Sequence, residues 1–255
     1  MSAYEKVTAA RAKGRSTTTD YIKEIFAHFT EMHGDRRYGD DKSVIAGIAR
    51  LDNMPVTVIG IEKGRNIKER GIRNSGSAHP EGYRKALRQM KLAEKFGRPI
   101  ICFVDTPGAF CGIGAEERGQ GQAIAENLAE MMTLKVPVIS IVIGEGGSGG
   151  ALALSVADEV WILENAIYSV ISPEGCASIL WKDASRAKEA AECLKLTAED
   201  LLSFGVVEKI IPERGKKFAY VKSELVQVIE KMKTVSHQEL TKNRYSRFRK
   251  LGVPQ

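Results

Sequence analysis

The stretch VPVISIVIGEGGSGGALALSVAD, residues 136–158, decides the fold. Its pattern predicts a buried strand, then a turn that holds five glycines, then a helix of small residues. Glycine lets backbone amides approach a ligand closely. A helix that begins at glycines directs its unpaired N–H groups at one point, and no side chain covers them. The helix dipole favours negative charge at that point. The stretch therefore predicts an anion or oxyanion site, although a tight crossover that needs glycine only for packing explains it equally well.

Length and composition limit the class of protein. The 255 residues, 43% hydrophobic and 27% charged, are typical of a globular protein. The apolar run at 136–143 is too short to span a bilayer, and the first residues lack the apolar core of a signal peptide. We therefore expect a cytoplasmic protein with no membrane association. The four cysteines show no CxxC spacing, so we expect reduced thiols and no metal site.

The positive charge is concentrated near the C-terminus. Residues 212–255 hold eleven Lys or Arg against four Glu, whereas the whole chain has a net charge of +6. Such a basic tail suits nucleic acid, phosphate or an acidic partner subunit, and a solvated face of amphipathic helices explains it too. Because no aromatic-and-basic RNA-binding pattern accompanies the charge, nucleic-acid binding is not expected.

Strand, glycine turn and helix recur along the chain. Residues 99–110 (PIICFVDTPGAF) predict a second buried strand that ends in a second glycine turn. Such units form right-handed crossovers and a parallel sheet, with the ligand turns at one edge. We therefore expect the two glycine turns to lie side by side.

Upstream and downstream elements complete the prediction. Residues 17–33 predict a helix, 44–51 and 56–64 a β-hairpin, and 184–195 a helix capped by Thr197. No repeat or low-complexity linker divides the chain. The sequence therefore predicts one domain, 1–255, with a helical N-terminal segment at 1–34 and a basic helical tail at 212–255.

A basic segment lies between the hairpin and the next helix. Residues 63–80 carry five Lys or Arg against one Glu, and glycine and serine interrupt any regular pattern. We predict a mobile loop that could contact phosphates, although a solvated linker also carries charge.

The glycine turn also matches the pattern G-x-S-x-G, the nucleophile elbow of serine hydrolases, with Ser148 at its centre. The only histidine after Ser148 is His237, which lies in the charged tail and would be a poorly held base. Neither a Walker lysine nor a complete dinucleotide fingerprint is convincing. Without a placed base, the two turns favour catalysis by backbone amides that stabilise an oxyanion.

Four longer runs carry a family resemblance: DTPGA (105–109), GIGAEERGQ (112–120), VIGEGGSGGALAL (142–154) and YSVISPEGCASILWKDA (168–184). The chain resembles the carboxyltransferase alpha subunits of bacterial acetyl-CoA carboxylase over nearly its whole length. The resemblance implies an α/β fold of the crotonase type, a superhelix of ββα units with N- and C-terminal helices. It also implies transfer of a carboxyl group from carboxybiotin to acetyl-CoA, which forms malonyl-CoA in the first committed step of fatty acid synthesis.

The resemblance also implies partners and cofactors. The expected partners are a zinc-bearing beta subunit in an α2β2 assembly, the biotin carboxyl carrier protein that presents carboxybiotin, and biotin carboxylase. The CoA thioester is held mainly by the beta subunit, and no metal is expected in this chain. A serine hydrolase and a non-catalytic basic scaffold stay as alternatives.

Catalytic roles follow by position from the resemblance. The backbone amides that hold the ureido oxygen of biotin are those of Gly149, Gly150 and Ala151. Gly146 and Gly147 shape the turn. The departing biotin can itself take the proton from the acetyl methyl group, so Ser148 needs no activation in this interpretation.

Substrate-binding roles are implied for two further regions. Gly108 and Ala109 form the neighbouring wall of the site, and Lys63, Arg65 and Arg73 are candidates for contact with CoA phosphates. The basic tail becomes a candidate for subunit packing.

The chain departs from the family pattern in three places. Phe110 and Cys111 stand where relatives usually have Tyr-Pro, which could widen the second turn. Residues 72–80 read IRNSGSAHP where many relatives have an aromatic-rich segment, and the N-terminal helical extension is short.

Overall fold

An eight-stranded sheet forms the centre of the fold in the computed structural model, which describes residues 1–252. The strands are β1 (Ala27–Glu31), β2 (Val44–Leu51), β3 (Met54–Ile61), β4 (Ile100–Thr106), β5 (Val138–Gly147), β6 (Glu159–Leu163), β7 (Ile167–Ser169) and β8 (Lys209–Ile211). Their order is β1-β2-β3-β4-β5-β6-β8, and β7 pairs with β5. The first three strands are antiparallel, and the pairs from β3 onward are parallel. The hairpin predicted at 44–64 is thus confirmed, and it opens a parallel sheet.

Helices connect and cover the strands. They are α1 (Ala3–Arg11), α2 (Thr18–Ile25), α3 (Ile67–Ile72), α4 (Pro80–Lys95), α5 (Ile113–Glu117), α6 (Gln120–Thr133), α7 (Ser148–Leu152), α8 (Pro173–Trp181), α9 (Ala187–Leu194), α10 (Ala198–Ser203), α11 (Lys217–Lys233) and α12 (His237–Lys250). Short 3-10 segments occupy 74–76 and 184–186. Within residues 1–252, none of these helices is long and apolar enough to cross a membrane. Within the predicted basic tail, residues 217–233 and 237–250 are helical, whereas residues 253–255 lie outside the described part.

The middle of the sheet is built from apolar strands that are buried on both faces. Every residue of β4 is buried, as are the first nine of β5. This matches the continuous apolar runs that parallel sheets require when helices cover both sides. The first part of β5 pairs with β6, and its last three residues pair with β7. The change of partner gives β7 a place beside the end of β5, where the glycines lie.

Three local predictions were wrong. The helix predicted at 17–33 ends at Ile25, and residues 27–31 form an edge strand against β2, so the N-terminal segment 1–34 is only partly helical. Apolar residues there satisfied a helical spacing, yet pairing with an open sheet edge is available only in the folded chain. The basic segment is not an irregular loop, because α3 forms there with Asn66 as its N-cap. Thr197 caps α10 rather than α9, since its Oγ1 accepts from the Asp200 N–H.

Arg244 of α12 fastens the basic tail to the sheet. Its guanidinium is fully buried and pairs with Asp158 at 2.7 Å. The remaining N–H groups donate to the carbonyl oxygens of Met131, Leu134 and Val136 at 2.7 to 3.0 Å. Part of the tail's positive charge therefore serves internal packing rather than a solvated face.

We predict that Arg244→Ala lowers the free energy of unfolding by about 3–5 kcal/mol, because it leaves a buried Asp158 carboxylate without its partner. Arg249→Ala is the matched control: Arg249 lies on the same helix and is exposed, so its loss should change stability by less than about 0.5 kcal/mol. Urea unfolding followed by circular dichroism measures both values. Equal effects of the two substitutions would show that Arg244 is not an anchor.

Candidate functional site

The two glycine turns lie side by side at the carboxyl ends of β4 and β5, as the sequence predicted. These strands are parallel neighbours, so their ends meet at one edge of the sheet. A Cβ at Gly147 would overlap the Pro107 carbonyl, and a Cβ at Gly150 would stand 2.5 Å from the Ala109 nitrogen. The absent side chains therefore allow backbone to touch backbone, and both turns line one spot.

The first glycine turn, which lies between β5 and α7, differs in detail from the predicted turn. Strand β5 continues through Gly146 and Gly147, and α7 is only five residues long. A Cβ at Gly146 would lie 2.8 Å from the Tyr168 ring, so this glycine makes room for β7. The N–H groups of Gly149, Gly150 and Ala151 belong to the first turn of α7, where the helix itself supplies no acceptors. That these amides face the site stays a prediction of the sequence.

The second glycine turn, residues 106–109, is held by the side chain of Thr106, for which the sequence predicted no role. Thr106 Oγ1 accepts from the Gly108 N–H at 3.0 Å and donates to the Gly108 carbonyl at 2.9 Å. Gly108 has a φ of +147°, a conformation that favours glycine. The Thr106 hydroxyl therefore fixes the wall that Gly108 and Ala109 form.

Phe110 fastens the second turn instead of widening it. Its ring stacks on His79 with centroids 4.1 Å apart, and its N–H donates to the Ala78 carbonyl at 3.0 Å. Cys111 is exposed. Two departures from the family pattern, at 110–111 and at 72–80, thus contact each other.

Ser148 has the backbone conformation of a nucleophile elbow, but no histidine of the described chain is positioned to act as its general base. Its φ is +51° and it is exposed. His237 contacts the Lys135 carbonyl, which precedes β5, so it lies at the other end of that strand from Ser148. None of the histidine hydrogen bonds found within residues 1–252 involves Ser148. The arrangement does not support a hydrolase triad.

A group of charges lies beneath the turns, in which Lys63, Asp105 and Glu145 are largely buried and Arg11 is partly exposed. Lys63 Nζ is 2.9 Å from Asp105 and 2.5 Å from Glu145, and Arg11 Nε is 2.6 Å from Glu145. The Glu145 N–H also donates to Asp105 at 2.9 Å. Burial opposes the charge on Lys63, yet the two carboxylates outweigh it and raise the lysine pKa. Lys63 is therefore a structural cation whose charge is already balanced.

Burial raises the pKa of both carboxyl groups and the neighbouring cations lower it, but the net shift differs between the two groups. Burial raises the pKa of Asp105 in spite of the Lys63 charge. Burial also opposes ionisation of Glu145, but Lys63 and Arg11 together lower its pKa. Asp105 and Glu145 each follow an apolar strand run, and a charge at the end of a buried strand was the signal that could have identified them.

The other two predicted phosphate-contacting residues lie nearer the surface. Arg65 pairs with Asp20 and keeps 48% of its side chain exposed. Arg73 donates to the Lys42 carbonyl at 2.7 Å. Arg65 also lines a polar cavity of about 470 Å³ that reaches from α1 to Pro107. The structure does not place Arg73 among the residues that line it.

A second, mostly apolar cavity adjoins the first glycine turn. It measures about 550 Å³ and runs from Ser148 and Gly149 to the underside of α12. Its apolar lining includes Leu152, Val160, Leu201 and Phe248. The glycine turns thus stand between a polar cavity and an apolar one. Within residues 1–252, no three His, Cys, Asp or Glu side chains are grouped so that they could hold a metal ion.

Solved structures share this fold. A 12S transcarboxylase determined with methylmalonyl-CoA and methylmalonic acid bound matches with a TM-score of 0.74 at 19% identity, over 88% of this chain and 42% of that one. A Pseudomonas malonate decarboxylase hetero-tetramer in complex with coenzyme A matches with a TM-score of 0.64 at 17% identity, over 86% and 84%. These matches show the fold of the chain, which is the crotonase-type fold.

Sequence relatives give the family. The family described as acetyl co-enzyme A carboxylase carboxyltransferase-like matches residues 1–252. The carboxyl transferase subunit alpha of acetyl-CoA carboxylase from Ruminiclostridium cellulolyticum is 67% identical over 99% of both chains. The same subunit from Clostridium perfringens is 61% identical over 98% of this chain and 95% of the relative. The chain belongs to the family of acetyl-CoA carboxylase carboxyltransferase alpha subunits, which confirms the predicted family and fold.

We predict opposite outcomes for two neighbouring glycines. In Gly150→Ala the new methyl group meets the backbone of the second turn, so stability should fall by about 1–3 kcal/mol. In Gly149→Ala the nearest atom to the new methyl group is Ile124 Cγ2 at 3.7 Å, so the fold should be kept. Alanine's better helix propensity could even raise stability by up to about 1 kcal/mol. Thermal unfolding distinguishes them, and equal losses would contradict the close approach of the turns.

Proposed function

We propose that this chain forms the biotin-facing half of a carboxyltransferase site, in which a carboxyl group moves from carboxybiotin on a carrier protein to acetyl-CoA. The observation that carries the proposal is the contact between Gly150 and the Ala109 amide. It packs the backbone of the two turns together with no side chain between them. Fixed amides aimed at a developing negative charge are the strongest single contribution to many acyl-transfer reactions.

The amides of Gly149, Gly150 and Ala151 would hold the ureido oxygen of biotin, with Gly108 and Ala109 as the facing wall. As the N–CO₂ bond breaks, its electron pair stays on the biotin ureido group, and negative charge builds on that oxygen. The departing ureido group then takes a proton from the acetyl methyl group, and the resulting carbanion attacks the released CO₂. This chain therefore supplies geometry and electrostatics rather than an acid or a base.

The two cavities suggest how the substrates approach. The apolar cavity beside Ser148 and Gly149 suits the apolar part of biotin and its linker. The polar cavity beyond Pro107 has Arg65 on its wall and suits phosphates, so CoA would reach the turns from that side. Since Lys63 is paired with two carboxylates, we assign the predicted phosphate contact in this cavity to Arg65, whereas a contact of Arg73, which does not line the cavity, stays a prediction of the sequence.

Exposed apolar side chains support the proposed beta subunit partner. Ile179 and Leu180 of α8, Val170 just after β7 and Phe204 just after α10 are 57 to 79% exposed. Val170 and Phe204 line the apolar cavity. Such groups on a water-soluble chain are typical of an interaction surface. We propose a zinc-bearing beta subunit in an α2β2 assembly, with the carrier protein and biotin carboxylase as further partners. A cytoplasmic location stays a prediction of the sequence.

A serine hydrolase is the second candidate, because the left-handed backbone of Ser148 is typical of a nucleophile elbow. We predict that Ser148→Ala keeps malonyl-CoA decarboxylation by the assembled alpha and beta subunits within about 3-fold of wild type, measured with a biotin analogue as acceptor. A hydrolase nucleophile would lose on the order of 10³-fold or more. Absence of turnover by the wild-type assembly would instead favour a scaffold role.

We predict that Arg65→Ala and Arg73→Ala raise the KM for malonyl-CoA by about 3- to 30-fold with little change in kcat, because they remove phosphate contacts that are equal in ground and transition state. Malonyl-pantetheine, which lacks the nucleotide phosphates, is the matched substrate. Its KM should not respond to either substitution. Equal KM changes with both substrates would mean that these arginines do not contact the phosphates.

A further inference from the structure

Tyr83 is a fully buried side chain whose hydroxyl reaches the proposed amide site. It lies on α4 and is 0% exposed. A Cβ at Gly150 would stand 2.9 Å from Tyr83 Oη and 2.5 Å from the Ala109 nitrogen. Because residue 150 has no side chain, the hydroxyl and the Ala109 amide border the same small space between the two turns.

This hydroxyl has no hydrogen-bond partner among residues 1–252. Leaving a buried hydroxyl unpaired costs about 1–3 kcal/mol, so an unpaired group in a close-packed region calls for an explanation. Burial raises the pKa of Tyr83 well above its ordinary value, with a smaller contribution from the Asp41 charge. The phenol therefore stays protonated and keeps its donor capacity at neutral pH.

We infer that Tyr83 is a positioning residue of the amide site, whose unpaired O–H stabilises the oxygen held by the two glycine turns as that oxygen becomes negative. The inference rests on the proposed function and adds a buried dipole to its backbone donors. The hydroxyl is fully buried and lies 2.9 Å from the Cβ position of residue 150, so it acts as a dipole beside the glycine turns rather than as a contact of the substrate. A dipole that is unsatisfied in the resting site and favourable only when charge develops lowers the barrier rather than strengthening ground-state binding.

Tyr21 provides a matched control within the same chain. It is also 0% exposed, and its hydroxyl also has no partner among residues 1–252. Its ring packs against Phe103 and Phe218, with centroids 5.2 and 5.0 Å away. Tyr21→Phe and Tyr83→Phe thus remove the same kind of unpaired hydroxyl, and only Tyr83 adjoins the glycine turns.

The experiment uses the assembled alpha and beta subunits and measures malonyl-CoA decarboxylation with a biotin analogue as acceptor. Tyr83→Phe should lower kcat by about 10- to 100-fold, leave KM within about 2-fold and leave the melting temperature unchanged or higher. Tyr21→Phe should change the melting temperature similarly and leave kcat within about 2-fold of wild type. A mere packing role for Tyr83 would leave kcat unchanged, because phenylalanine keeps the shape of the ring.

The outcomes separate the inference from the proposed function. An active wild-type assembly with full kcat in Tyr83→Phe overturns the inference alone. An equal kcat loss in both variants also overturns it, since the effect would then not depend on the position beside the turns. A wild-type assembly with no turnover overturns the proposed function instead. A loss confined to kcat in Tyr83→Phe supports the inference.

Discussion

The close approach of two backbone turns is the constraint on which the rest of this structure depends. Gly147 packs on the Pro107 carbonyl and Gly150 on the Ala109 amide, at distances that leave no space for a methyl group. Such contact requires β4 and β5 to be parallel neighbours in a fixed register. It also requires Gly144 opposite Asp105, because the carboxylate occupies the space where a side chain at residue 144 would lie. The site and the middle of the sheet are thus specified together.

Ion pairs connect distant segments to this edge of the sheet. Lys63 follows β3, Arg11 ends α1, and both reach Glu145 near the end of β5. Arg11 also pairs with Glu174 on α8 at 2.7 Å. The pair of Lys63 with Glu145 is largely buried, so both charges need their partners, whereas the Arg11–Glu174 pair is exposed and adds little to stability. The N-terminal helix therefore supports the site without lining the amide pair.

The same turns separate two surroundings of different polarity. Towards α12 the wall is apolar, and towards α1 it is rich in arginine and carboxylate. Two substrates that differ in polarity would therefore meet at the backbone amides. A ring with an alkyl arm would approach from the apolar side, and a polyanionic thioester from the polar side. Under the proposed function, a chain with an elbow-like serine needs no nucleophile, because the reacting groups arrive with the substrates.

The sequence by itself determined the strands that are buried on both faces, the paired glycine turns and the family, because apolar runs and glycine positions follow from local backbone and burial requirements. The sequence also argued against Ser148 as a hydrolase nucleophile, since His237 is the only histidine that follows it. Tertiary structure alone decided that residues 27–31 form an edge strand, that Lys63 is neutralised by Asp105 and Glu145, and that Arg244 is buried. It alone brought Tyr83 to Gly150. Each of these depends on groups far apart in the chain, and local spacing carries no information about which distant charge, carbonyl or turn will become the neighbour.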